Sequence, residues 1–144
     1  MQLGNSALVI IKKYEGLRLS AYRDGGGVWT IGYGHTGRFA RPHAKISINQ
    51  ANSLCQQDAT EAAAVVAANC PRLTQPQLDA LTSLVFNIGA RAFGRSTLRK
   101  LHNEGRYAEA EQQFKRWSYD NKVQVPGLLT RRLEEARLYH AGSI

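Results

Sequence analysis

Long apolar runs are missing from this sequence. Nothing in it approaches the ~18 consecutive apolar residues of a membrane span. Lys12, Lys13 and Glu15 interrupt the one early apolar stretch before the core of a secretory signal could be completed. The expectation is a soluble protein, made in the cytosol, without an export device of its own and without stable membrane insertion. Cysteine is scarce as well, with only Cys55 and Cys70. Both fall on what reads as one long helix, where a rise of ~1.5 Å per residue would hold them roughly 22 Å apart, beyond disulfide reach. Two free thiols are expected, with Cys55 in the core. Neither cysteine forms a CxxC, and His35, His43, His102 and His140 have no metal-ligand spacing, so no metal and no other cofactor is expected. The glycines between Gly25 and Gly34 precede no helix and do not match a phosphate-binding loop. Internal repeats and low-complexity linkers are absent.

Acidic residues are few. Eleven Asp and Glu stand against nineteen Lys and Arg, a net charge of +8 that draws the molecule towards polyanions. Nucleic acid, anionic membrane and bacterial cell wall all qualify, and charge alone does not choose among them. The 144 residues suit one domain, and 43% hydrophobic with 21% charged residues is the composition of a folded globular chain.

The organisation is mainly helical. Asn5 or Ser6 is placed to cap a first helix whose apolar stripe is Ala7, Ile10, Ile11 and Tyr14, with Glu15 on its last turn and Gly16 ending it. From Leu17 to Gly34, aromatic and β-branched residues surround Asp24-Gly25-Gly26-Gly27. This predicts two short strands joined by a glycine turn, the one convincing β region. Residues 35 to 46 form a loop that leads to the capping box Ser47-Ile48-Asn49-Gln50. A long helix follows, with apolar face Ala51, Leu54, Cys55, Ala62, Val65 and Val66, stopping near Asn69-Cys70-Pro71. Thr74-Gln75-Pro76-Gln77 is a second box, opening a buried central helix that Gly89 ends. Ser96 caps a short helix stopped by Gly105. Tyr107, Ala110, Phe114 and Trp117 mark the core-facing stripe of another, and a last helix carrying Leu129, Leu133 and Ala136 follows Pro126-Gly127. The expected fold is therefore α+β, mainly α-helical, in a single domain of two lobes: a small β lobe over about 16–46, a connecting helix over about 47–69, and a helical lobe over about 74–144 joined by the first helix.

Glycosidic bond hydrolysis needs a carboxylic acid to protonate the leaving oxygen and usually a second carboxylate to activate water. Glu15 and Asp24 suit those parts. The negative end of a helix favours a protonated carboxyl at Glu15, whereas Asp24 begins an exposed glycine turn. Thr30 lies one hairpin return after Asp24, on the face opposite Trp29, Ile31 and Tyr33, where its hydroxyl could hold a water. Taken singly, Asp24 is a turn former, Thr30 a strand residue and Glu15 a solvated helix end.

The segments Glu15-Gly16-Leu17-Arg18, Ala21-Tyr22-Arg23-Asp24 and Trp29-Thr30-Ile31-Gly32-Tyr33-Gly34-His35 closely resemble the phage-type lysozymes, glycoside hydrolase family 24. That family's signature is Glu, eight residues, Asp or Cys, five residues, Thr, and Glu15, Asp24 and Thr30 satisfy both gaps. Phe86-Asn87-Ile88-Gly89, Ala92-Phe93 and Ser96-Thr97-Leu98 resemble its central helix and the segment after it, and Arg131-Arg132 with Glu134 or Glu135 its closing helix. The resemblance implies a two-lobe lysozyme with Glu15 as acid and with Asp24 and Thr30 positioning water. It would cut the β-1,4 bond after N-acetylmuramic acid in peptidoglycan, typically by inversion, and lyse the host cell for phage release. Tyr22, His35, Phe86, Asn87 and Ser96 become candidate glycan contacts. Packing explains Phe86 about as well, and His35 could simply hold its loop. Trp117 reads as core. Arg91, Arg95, Arg99, Arg131 and Arg132 are expected on the surface, aiding adhesion to anionic wall polymers.

The resemblance also implies no nucleic-acid partner and a monomer that waits in the host cytoplasm and reaches the periplasm through holin lesions. Some relatives carry an export segment or a cysteine lock; neither is visible here. Two other readings stay open at this point. One is a lytic transglycosylase that leaves 1,6-anhydro ends. The other is a non-catalytic basic module that binds nucleic acid or cell wall, which accounts for the charge but not for the Glu, Asp, Thr spacing.

Overall fold

The computed structural model describes residues 1–144, and its first helix is held at its start by a distant acid. Helix α1, Asn5–Glu15, begins from Gly4, and no side chain of Asn5 or Ser6 caps it. The Gly4 amide instead donates to Oδ1 of Asp79 at 2.8 Å. Here a buried carboxylate supplied by the fold takes the place of the local cap that the sequence suggests. The approach is close enough that a side chain at position 4 would strike the Asp79 carboxylate. Ala7, Ile10 and Ile11 are buried, and Gly16, at φ 72°, ends the helix one residue after Glu15.

Strands β1, Arg18–Arg23, and β2, Trp29–Gly32, pair antiparallel, with Tyr22 opposite Thr30 and Arg23 opposite Trp29. A register shift between Arg18 and Tyr22 bends the ribbon. Simple in-and-out alternation fails on β2. Thr30, Ile31 and Gly32 are all buried, so this strand is covered on both faces while most of β1 lies exposed. Ile31 packs with Ile46, Ala51 and Leu54 in a small core of its own.

Helix α2, Ile48–Asn69, starts with both halves of the Ser47/Gln50 capping box in place. Helix α3, Gln75–Ile88, starts with the Thr74/Gln77 box and runs through the centre of the larger core. It is buried nearly all round, although Gln77, Asp79, Thr82 and Ser83 make part of that surface polar. Ile11, Cys55 and Ala59 join α1 to α2. Both cysteines are buried and unpaired, and burial pushes each thiol up to about 11. The fold is α+β and mainly helical, with a small hairpin lobe, a long connecting helix and a helical lobe.

The C-terminal third departs further from the sequence pattern. A short helix α4, Ala90–Gly94, precedes α5, Thr97–Asn103, which Ser96 caps. The single helix expected over Tyr107 to Trp117 is α6, Tyr107–Gln113, followed by a 3-10 turn, Phe114–Ser118, in which Trp117 leaves helical geometry. A second hairpin then pairs β3, Tyr119–Asp120, with β4, Val123–Gln124. Its two-residue turn, Asn121-Lys122, has positive φ at both positions, the geometry that matches strand twist. Without glycine the turn carries little sequence signal.

Helix α7, Pro126–Ala141, holds Pro126 in its first turn and inverts the expected facing. Its buried residues are Arg131, Arg132, Glu135 and Tyr139, while Leu133 is 40% exposed and Leu129 and Ala136 are half-buried. Arg131 and Arg132 are therefore not surface cations for wall polymers. They face Glu135, Glu15 and Ser83, and opposite charges at contact distance offset the cost of burying them. No helix is long and apolar enough to cross a membrane.

Candidate active site

Glu15 sits at the junction of three elements. The C-terminal turn of α1 carries it, and Gly34, just beyond β2, lies directly against its carboxyl. Arg131 on α7 donates from Nη1 to Oε2 at 2.7 Å. Gly34 has φ 70°, and a Cβ there would occupy the place of Oε1. Glycine thus meets two demands at once, a left-handed backbone and room for the acid.

Behind Glu15 lies a buried charge cluster. Arg131 also donates from Nε to Oε2 of Glu135 at 3.2 Å and from Nη2 to the Ser83 carbonyl at 3.1 Å. Glu135 accepts from the Ser83 hydroxyl at 2.5 Å and from Nη2 of Arg132 at 3.2 Å. Nε of Arg132 approaches Oε1 of Glu135 at 2.7 Å as an ion pair without hydrogen-bond alignment. Burial pushes the Glu135 carboxyl above its ordinary range, and the two guanidinium groups and the hydroxyl pull the other way. Nothing in the sequence pattern links Arg131, Ser83 and Glu135 to Glu15, although Arg131 and Glu135 resemble the family's closing helix. The signal that could have found them is the spacing Arg131, Arg132, Glu135, which sets opposite charges three and four residues apart on one helical face.

Asp24 and Thr30 meet through the main chain of Val28. Oδ1 of Asp24 accepts from the amides of Gly26 and Val28, each at 2.9 Å, which pins the carboxylate at the exposed turn. The Thr30 hydroxyl donates to the Val28 carbonyl at 3.0 Å. Thr30 is 4% exposed. With its proton committed, its oxygen keeps lone pairs and can only receive a hydrogen bond from a water. No hydrogen bond engages Oδ2 of Asp24, which lies on the exposed turn.

The five candidate glycan contacts are placed very differently. Phe86 lines a hollow of about 320 Å³ together with Gly34, Thr36, Asp58, Glu61 and Ala90, and Gly34 is the wall residue that the Glu15 carboxyl touches. A larger hollow of about 640 Å³ continues from it past Thr36, Asp58 and Glu61, with His35 in its wall. Both ring nitrogens of His35 are already engaged, at 2.7 Å each, with the Asp58 carboxylate and the Arg38 carbonyl. The histidine thus ties its loop to α2. Tyr22 is half-buried beneath the guanidinium of Arg18, 4.3 Å from the ring centre. Asn87 is exposed at the end of α3, outside both hollows. The Ser96 hydroxyl caps α5 by accepting from the Arg99 amide and donates its proton back to the Phe93 carbonyl of α4.

Residues 12–135 match the profile of the family described as phage lysozyme. The chain is 40% identical over 146 residues to the endolysin of Acyrthosiphon pisum secondary endosymbiont phage 1, covering 98% of this chain and 99% of that protein. Among solved structures it is similar to the muramidase domain of SpmX from Asticaccaulis excentricus, with TM-score 0.89, 36% identity, and coverage of 96% of this chain and 97% of that one. It is also similar to the endolysin from Escherichia coli O157:H7 phage FAHEc1, with TM-score 0.86, 35% identity, and coverage of 96% and 93%.

Proposed function

The chain belongs to the phage lysozyme family and is a muramidase acting on peptidoglycan, and we propose that Glu15 is its general acid, with Asp24 and Thr30 governing the attacking water. The observation that carries this reading is the placement of Glu15. A carboxyl oriented by Arg131 and resting on Gly34, itself part of the hollow's wall, has one oxygen, Oε1, without a hydrogen-bond partner. In the reaction that oxygen's proton passes to the glycosidic oxygen between N-acetylmuramic acid and N-acetylglucosamine as the C–O bond breaks. A water gives its proton to Asp24, its oxygen bonds to the anomeric carbon, and Thr30 accepts its other hydrogen.

The polymer is long, so Phe86 and the hollow beside it would contact sugar beyond the scissile bond, with His35 holding the wall of the adjoining hollow, while Tyr22, Asn87 and Ser96 lie outside both. In the phage setting the enzyme works as a monomer, accumulates in the host cytoplasm and meets peptidoglycan in the periplasm once a holin opens the membrane. Cells expressing it alone then stay intact until a membrane lesion is added. Lysis without one would remove that part of the reading.

The decisive experiment treats outer-membrane-permeabilised Gram-negative cells and isolated peptidoglycan with the purified chain. Turbidity falls and new reducing ends accumulate. A predominance of 1,6-anhydro-muramyl products would replace hydrolysis by transglycosylation, and binding without clearing would leave a non-catalytic module. Glu15→Gln should lower turnover by about 1,000-fold or more, and a variant of near-normal activity would remove the acid assignment.

A further inference from the structure

We propose that Glu135 is a positioning residue for the acid, holding Arg131 so that the arginine's charge is divided between two carboxylates. The proposal rests on the reading of Glu15 as the general acid. Arg131 is 3% exposed and each of its nitrogens is engaged: Nε by Glu135, Nη2 by the Ser83 carbonyl, Nη1 by Glu15. Glu135 is fully buried and stands between Arg131 and Arg132. Nη1 of Arg132 has no hydrogen-bond partner, and Glu135 is the one carboxylate within ion-pair distance of that guanidinium.

The formal charges of this cluster decide what Glu15 can do. Two guanidinium groups, Glu135 and an ionised Glu15 sum to zero, and a protonated Glu15 leaves one net positive charge. Without the charge of Glu135 the same two states carry one and two positive charges. Out of water, where charges interact strongly, the second arrangement holds Glu15 as a carboxylate, and a carboxylate has no proton to donate. Glu135 therefore lets Arg131 orient Glu15 without stripping it.

The other ionisable groups around Glu15 are the same in the parent and in a variant at Glu135. From α7 come Arg131 and, at longer range, Arg132. From α2 come the Cys55 thiol, which burial keeps neutral, Asp58, which His35 engages at 2.7 Å, and Glu61, the last two in the wall of the hollow that Gly34 also lines. The one ionisable side chain of α3, Asp79, sits at the opposite end of α1 on Gly4. Lys13 of α1 is turned to Glu134, and Asp24 of the hairpin is fixed on its own turn.

The test is the pH profile of Glu135→Gln, which keeps the shape and an acceptor for Ser83 but removes the charge. The alkaline limb of kcat/KM should move down by about one pH unit or more, with kcat reduced at neutral pH, recovering at lower pH, and KM unchanged. Glu135→Asp should restore most of the original profile. Ser83→Ala, which removes a donor to Glu135 without touching any charge, should shift the limb the same way by less, and it decides the matter if Glu135→Gln does not fold. A loss that is equal at every pH, or an unmoved limb in both variants, overturns the proposal. Retained activity in Glu15→Gln would instead overturn the acid assignment, a separate result that involves no change at Glu135.

Discussion

The carboxyl of Glu15 lies against the bare Cα of Gly34, so the strand exit and the helix end share one space. Gly34→Ala should therefore act twice. Alanine at φ 70° costs about 1–2 kcal/mol, and its methyl displaces Oε1 from its place beside Gly34. A displacement of about 1 Å at a reacting group costs on the order of 100-fold in turnover. The expected outcome is a modest fall in thermal stability and a far larger fall in kcat, with KM little changed. Full activity in a correctly folded Gly34→Ala would show that Oε1 does not have to occupy that place.

Asp24 can be separated into its turn and its charge. Asn at this position still offers Oδ1 to the Gly26 and Val28 amides, so Asp24→Asn should melt close to the parent while losing about 100-fold or more in activity. Asp24→Ala gives up both hydrogen bonds and should lose about 1–2 kcal/mol of stability besides. At Thr30, serine keeps the hydroxyl that donates to Val28, whereas valine leaves no acceptor for a water. Activity should follow the order Thr, Ser, Val. Equal activity of Thr30→Ser and Thr30→Val would exclude the hydroxyl from the reaction.

The elements around Glu15 and the hairpin were legible because their signals are local: helical spacing in α1, glycines at the turn, and two complete capping boxes that open α2 and α3. What escaped the sequence was decided across long separations. Asp79 displaces Asn5 and Ser6 as the cap of α1 from 75 residues away. The partner of Glu15 lies 116 residues along the chain. Read alone, Arg131 and Arg132 belong on the surface, as an unpaired arginine does. Only the convergence of Glu15, Ser83 and Glu135 makes their burial tolerable, and periodicity does not register that convergence. The short hairpin after Trp117 was missed for a different reason, since its turn residues, Asn121 and Lys122, lack glycine.

His102 gives the helical lobe a pH-dependent element. Its Nε2 faces the Arg72 carbonyl at 2.8 Å, which can only accept, so that nitrogen carries the proton and Nδ1 receives the Tyr139 hydroxyl at 2.7 Å. Burial lowers the His102 pKa below its ordinary 6.5. Above pH 6.5 the ring is neutral in both the folded and unfolded chain, and its contribution is complete. As pH falls from there towards the depressed folded value, the unfolded chain gains a proton that the folded chain refuses, and stability declines. Urea unfolding at steps from pH 7.5 to 5 should show this loss, and His102→Gln should flatten it. Parallel pH dependence in the parent and the variant would assign the effect elsewhere.

Asp79 tests whether the acid's helix depends on its remote cap. Oδ1 accepts from the Gly4 amide at 2.8 Å and from the Gln75 amide group at 2.9 Å, and the residue is 3% exposed. Asp79→Ala removes the acceptor and leaves the half-buried Gly4 amide at the start of α1 unsatisfied, at a cost of about 2 kcal/mol. For a chain of this size that lowers the melting temperature by roughly 4–8 °C. Glu15 lies at the other end of α1, about 15 Å away along the axis, so turnover well below the melting temperature should remain near normal. Hydrogen exchange should be fastest in the amides of the first turn. If Asn5 and Ser6 could cap the helix themselves, the variant would melt like the parent, and the sequence-level cap would prove sufficient after all.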